Sequence, residues 1–346
     1  MRIDHPKAAS PLPIKRVVFV LLAASVLSAA IYQALRAGDD LYLTASVFAT
    51  RFLGIFIEAV PFLLLGSLTS GLIETFVKTD DILRFLPRSR LGAALGGTLL
   101  GLVFPVCECG VVPVTRRLFR KGLPLSMGVA FLLAAPFMNP IVFASTYIAF
   151  GFGGVLIGRA LLTVLVAVIV ATVIGSFADP REVLKPTSAK AGEEHSHHHH
   201  HHHPPGRPGL RAKLFSAMQI GADDFFEMGR FLILGSGLAA LLQTFVPQDS
   251  LLALGSGPIM SVLFMQILAF LLSVCSTVDS FLALAFVNTF STGAIISFLS
   301  FGPMVDIKST LMFTGVFRRK IVLYLVLLPF VLNLLAGVLI NVALGY

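Results

Sequence analysis

Charge is scarce in this sequence. Of its 346 residues, 13% are Asp, Glu, Lys or Arg and 56% are hydrophobic, with a mean hydropathy of +0.89. A soluble domain carries about 25% charged residues, so the composition excludes an ordinary soluble protein and indicates a membrane protein. Strand-length alternation of apolar and polar residues is also lacking. That excludes a β-barrel and leaves a helical bundle, the other architecture that satisfies every backbone group in lipid. Three cysteines are too few for a disulfide framework. There is no Walker A motif, hence no such ATP loop within the chain. No clean small-x-small cleavage site follows the first apolar run, which therefore reads as an uncleaved leading helix and not a signal peptide.

Apolar length is what the chain has in quantity. Runs near 17–35, 47–77, 124–150, 155–177, 231–246 and 321–344 approach or exceed the roughly 20 residues that span a bilayer. Shorter runs at 91–115 and 258–290 are interrupted by Gly and Pro. The formal net charge of +8 reads as juxtamembrane topology signals; the expected partner is the lipid bilayer, with no nucleic acid.

The chain also repeats itself. "EAVPFLLLGSLTSGLIETFV" (58–77) lies over "EMGRFLILGSGLAALLQTFV" (227–246) with 10 of 20 positions identical, Glu58/Glu227, Gly66/Gly235 and Ser67/Ser236 among them. At nearly the same offset Cys107 meets Cys275, and "APFMNP" meets "FGPMVD". The expected organisation is a leading transmembrane helix (1–45), a first permease-like repeat (46–177), a cytoplasmic His-rich linker (178–213) and a second repeat (214–346). If the broken 91–115 run turns back without crossing, the basic clusters at 2–16, 78–90, 116–121, 181–213 and 318–320 all fall on the cytoplasmic side. Each repeat then crosses three times, and an odd number of crossings inverts the second copy. The expected fold is an all-α polytopic membrane protein of about seven spans with two re-entrant or broken hairpins and two inverted repeats, the plan of secondary transporters.

The first hairpin carries "PVCECGVVPV" (105–114). On a helix, residues two apart point to nearly opposite sides, so Cys107 and Cys109 share a site only where the backbone is extended or turned. Pro105, Gly110 and Pro113 disfavour a continuous helix there. Glu108 facing lipid would cost roughly 2.5–3.5 kcal/mol and must face a cavity or a partner. The alternative for the thiols is small apolar packing. Cys107, Glu108, Cys109, Cys275 and Asn139 are the candidate substrate-binding residues. Asp279, Asp306, Glu58 and Glu227 are candidates for a proton or ion relay. Soft thiolates favour soft ions, which suggests a thiophilic metalloid or metal ion as substrate. No catalytic residue and no required cofactor is expected.

The run "EEHSHHHHHHHPPGRPG" (193–209) holds eight of the nine histidines. His195, His197, His198, His199, His200, His201, His202 and His203 form a weak, flexible metal-binding candidate for Zn, Ni or Cu. A low-complexity linker is the alternative.

The blocks "FLLLGSLTSGLIETFV", "FPVCECGVVPVTRRLFRKGLPLSMGVAFLLAAPFMNPIV", "FLILGSGLAALLQTFVPQ" and "SVCSTVDSFLALAF…GPMVDIKSTLMF" resemble the ArsP-like family of bacterial permeases over about 45–345. Cys107, Cys109, Pro113, Pro136, Asn139 and Pro140 match the first family block. Cys275, Asp279, Pro303, Asp306 and Lys308 match the second. The resemblance implies a multi-pass permease of the bacterial inner membrane, with its N-terminus cytoplasmic on the charge argument above, whose best-understood branch exports trivalent organoarsenicals. A homodimer or an accessory membrane protein is a possible assembly. A membrane thiol-redox enzyme and a metal-sensing or scaffold protein are the rival readings; the first lacks a Cys-x-x-Cys motif.

Overall fold

A computed structural model describes residues 41–77, 89–104, 106–178, 183–185, 209–245 and 257–345. The leading run at 17–35, Pro105 and the histidine run at 195–203 lie outside the described residues. The chain divides into two compact units, Met1–Thr50 and Arg51–Tyr346. The second unit contains everything that follows, apart from the first turns of α1.

Twelve helices of length fall among the described residues: α1 (Leu41–Phe76), α2 (Arg90–Val103), α3 (Glu108–Arg120), α4 (Leu125–Met138), α5 (Pro140–Phe150), α6 (Gly154–Phe177), α7 (Leu210–Phe245), α8 (Met260–Leu272), α9 (Asp279–Leu284), α10 (Thr292–Met304), α11 (Ile307–Val316) and α12 (Arg319–Ala343). No strand occurs among these residues; Leu184 and Phe317 form an isolated antiparallel bridge. The fold is all-α and polytopic, as composition requires. Five helices are long and apolar enough to cross a membrane, and α4 with α5, bent by 45° at Asn139, makes a sixth. The spans are α1, α4–α5 and α6, then α7, α10–α11 and α12. Short apolar helices α2 and α8 lead into the two cysteine-bearing breaks.

The second six helices repeat the order of the first six, and the packing repeats with them. α2 packs on α4 and α6, as α8 packs on α10 and α12; α4 packs on α6 as α10 on α12. Across the halves, α3 meets α11 and α9 meets α5. α4 and α10 are the central helices: all but two residues of each are buried. Lipid supplies no hydrophobic drive between helices, so small residues that let backbones approach must hold them. Gly97 and Gly101 of α2 meet α4, where a Cβ on Gly101 would sit 2.7 Å from the Ala135 Cα.

One expectation needs correction. Gly110 and Pro113 do not break the chain; both lie inside α3. The break is shorter, with Phe104 and Cys107 extended on either side of it. Gly110 is there for contact: a Cβ on it would stand 3.1 Å from the Gly66 Cα of α1. Of the stretch read as a linker, 178–213, the described residues 183–185 lie against the second half. Lys185 N–H donates to Val316 O (3.0 Å) and Arg318 N–H to Val183 O (3.0 Å). Helix α7 already begins at Leu210.

Candidate functional site

Each half contains two breaks. In the first half they are at 104–107, carrying Cys107, and at Asn139; in the second, at 273–278, carrying Cys275, and at 305–306. Asn139 and Asp306, matched in sequence, are matched in structure as the N-caps of α5 and α11. The Asn139 side chain accepts from Ile141 N–H (3.0 Å). Asp306 forms a reciprocal capping box with Ser309, satisfying two backbone donors that a helix start leaves open. Helix breaks at membrane depth are tolerated where protein surrounds them and frees polar groups for a site.

The contact of α3 with α11 brings the charges together. Lys308, the second residue of α11, places Nζ 3.6 Å from Glu108 Oε1 and 3.6 Å from Asp306 Oδ2. The three residues are 1%, 4% and 1% exposed. A cation in the first turn of a helix opposes the helix dipole, so Lys308 is held there by its two carboxylates. Glu108, first residue of α3, is at the favourable end of its own helix. Gly235 of α7 lets this turn of α11 seat closely, since a Cβ there would stand 2.9 Å from the Lys308 Cα. Asp306 Oδ2 also accepts from the Ser273 hydroxyl at 2.5 Å. Ser273 is the one non-glycine at positive φ among the described residues (φ 51). A left-handed serine is a strained choice that marks functional positions, and here it aims its hydroxyl at the cluster.

The thiols surround this pair. Lys308 interacts electrostatically with Cys109 and Cys275 as well as with Glu108 and Asp306. Cys107 and Cys109 flank Glu108, Cys107 as the N-cap of α3 and Cys109 in its first turn. All three cysteines are free and buried. Glu58 of α1 approaches Cys275 and Lys308, and Thr277 Oγ1 lies 3.6 Å from Cys275 Sγ. Glu108, Asp306, Cys109, Cys275 and Glu58, selected from sequence, therefore lie near one ammonium, Lys308, which the sequence matched to the family block without giving it a role; Cys107 adjoins them as the N-cap of α3. Among the described residues no group of three or more His, Cys, Asp or Glu side chains is arranged to hold a metal ion. The space between the sulfurs and carboxylates is shared with Lys308. Glu108 Oε2 is buried with no hydrogen-bond partner.

The other candidates sit in two separate networks. Asp279 pairs with Arg159 of α6, accepting at Oδ1 from Nη1 (3.1 Å) and at Oδ2 from Nη2 (2.7 Å). Arg159 is fully buried, also donates to Thr146 and Ser280 (both 2.8 Å), and lies 5.2 Å over the Phe137 ring. Glu227 pairs with Arg116 of α3 at 2.6 Å. Arg116 and Arg117 both reach Asp224 Oδ1 (2.5 and 2.8 Å), and Ser70 donates to its Oδ2 (2.6 Å). Sequence counted Arg116 and Arg117 among the topology signals of the cytoplasmic side; they are 1% and 6% exposed and ion-paired inside the protein. Burial beside carboxylates explains the difference, because a desolvated guanidinium needs a bidentate acceptor. Asn139 lies outside the ionic cluster, at the cap of α5. Arg159 and Asp224, which sequence missed, and Lys308, which it matched to the family without a role, are all ionisable groups inside or beside apolar runs, which is the general signal for function within a membrane.

Comparison with known proteins agrees with this architecture. Residues 45–342 match the model of a family described as "Predicted permease", ArsP_1. The chain is 44% identical over 287 residues to "UPF0718 protein YcgR" of Bacillus subtilis strain 168, covering 83% of this chain and 94% of that protein. It is 36% identical over 275 residues to a Streptococcus mutans protein named "Putative two-component membrane permease complex subunit", covering 80% and 88%. No solved structure matches. Multi-pass helices, paired membrane breaks and a match over nearly the whole described chain lead to one assignment: the chain belongs to this family of predicted membrane permeases.

Proposed function

We propose that the chain moves a thiophilic metalloid, a trivalent arsenical in the first instance, or a soft metal ion across the bacterial inner membrane by secondary transport. The observation that carries this reading is the meeting of the broken helices of the two halves at Lys308, Glu108 and Asp306, with Cys107, Cys109 and Cys275 alongside. Three crossings in each half support the inverted-repeat organisation of 46–177 and 214–346, with the site where the halves meet. Cys107 and Cys109 bind the substrate and Cys275 assists. Glu108, with one oxygen unpartnered, is the carboxylate that takes up and releases a proton. Lys308 supplies the charge that holds the site together, and substrate or proton binding redistributes it. The name of the Streptococcus mutans relative supports a second membrane subunit as partner. The histidine run is a secondary metal-binding element on the cytoplasmic side.

The test is elemental. A bacterium lacking its own exporters, expressing the chain, is challenged in turn with arsenite, a trivalent methylarsenical, zinc, nickel and copper, and the cell content of each element is measured. One element should change with the wild-type chain and not with Cys107→Ser/Cys109→Ser. An unchanged double mutant removes the thiols from the mechanism.

A further inference from the structure

The two remaining ionic networks are placed as a pair. Each joins the halves: Arg116 and Arg117 of the first to Asp224 and Glu227 of the second, and Arg159 of the first to Asp279 and Ser280 of the second. Their depths follow from the chain. α3 ends at Arg120, and α4 begins at Leu125 after a four-residue turn, 121–124. Gly175 near the end of α6 seats against Ser126 at the start of α4, so that end of α6 is level with the α3–α4 turn. Arg159 lies 16 residues back along α6, about 24 Å away at 1.5 Å per residue. Arg116 and Arg117 lie within the last turn or so of α3, roughly 5–8 Å from the turn. The networks are therefore roughly 15 Å or more apart across the membrane.

The cysteine–lysine cluster lies between them. Glu108 is eight residues before Arg116 in α3, about 12 Å further in. Asp279 is one turn past Cys275, its N–H donating to Cys275 O (3.0 Å). With both networks closed, the three cysteines are at most 5% exposed.

We propose that Arg116–Arg117–Asp224 and Arg159–Asp279 are the two gates of the permease, one on each side of the Lys308 cluster, opened in alternation. The proposal rests on the cluster being the substrate site. Buried ion pairs suit a gate: closed, they are satisfied within protein, and open, they are satisfied by water entering from one side. Both networks contain an additional hydroxyl acceptor or donor, Ser70 on one and Ser280 with Thr146 on the other, so each closed state is fixed by direction as well as charge. A permease needs both sides closable and never both open, which two cross-half latches at different depths supply.

Native cysteines report the gates without a substrate. Right-side-out and inverted vesicles carrying the full chain are treated with a membrane-impermeant maleimide, and labelling of Cys107, Cys109 and Cys275 is read by mass spectrometry. Asp279→Asn should raise labelling from one face by roughly tenfold, and Asp224→Asn from the opposite face by a similar factor. Labelling from the same face in both variants, equal gain from both faces, or no change overturns the proposal. Ser280→Ala and Ser70→Ala, which keep the ion pairs, should show the same sidedness with smaller gains; they decide the matter if the Asn variants do not fold. Sided labelling with no element transported would refute the substrate reading and leave the gates. Cysteine-dependent transport with unsided labelling would refute the gates alone.

Discussion

Replacing Lys308 by Met is the sharpest test of the central cluster. The side chain is 2% exposed and lies 3.6 Å from each of two carboxylates that are themselves 5% and 2% exposed. Methionine keeps the length and the apolar stem, so packing is little changed. What is lost is the counter-charge, leaving Glu108 and Asp306 buried together. Removing one partner of a buried ion pair costs about 3–5 kcal/mol. The assay is apparent melting temperature in a mild detergent, for wild type, Lys308→Met, Glu108→Gln and the double variant. Lys308→Met should be strongly destabilised, and Glu108→Gln added to it should restore part of the loss. A coupling of about 1–3 kcal/mol is the range for groups in one network. Independent, additive effects, or an unaltered Lys308→Met protein, would mean that the ammonium does not hold the two halves together and that the reasoning from the 3.6 Å contacts is wrong.

Gly235→Ala should destabilise by about 1–3 kcal/mol through overpacking, because its Cβ would meet the Lys308 backbone, whereas Gly237→Ala on the same helix, with nothing within 4 Å, should be neutral or slightly stabilising; paired thermal melts check this. Arg159→Lys loses the two-pronged contact with Asp279 and should lower stability by about 1.5–3 kcal/mol, with Arg159→Met worse; equal melts for wild type and lysine would remove the fork from the argument. Ser273→Gly relieves the left-handed backbone but deletes the bond to Asp306. Transport should fall while the melting temperature changes little, and unchanged transport would make that hydroxyl a local anchor only.

The membrane class and the helical fold were legible in the sequence because they depend on composition and local pattern. Apolar runs of bilayer length fix the spans, and the matched blocks at 58–77 and 227–246 announce two similar halves. Prolines, glycines and Asn/Asp marked the breaks, although Gly110 and Pro113 turned out to serve packing and helix interior. Cys107, Glu108, Cys109, Cys275 and Asp306 stood out as groups too reactive or too charged for lipid. Their partners could not be read the same way. Lys308 lies 200 residues from Glu108, Arg159 120 from Asp279 and Arg116 108 from Asp224, and only the packing of α3 on α11, α5 on α9 and α3 on α7 decides which charge meets which. The sequence also could not separate a basic residue that marks topology from one that is buried, since Arg116 and Arg319 each sit in a basic cluster; Arg319 is exposed, whereas Arg116 is buried against Asp224. Local sequence determined where the helix breaks and which groups needed a partner. Tertiary structure alone decided the pairing, because the energy of a buried charge depends on what stands within a few ångströms of it and not on its neighbours in the chain.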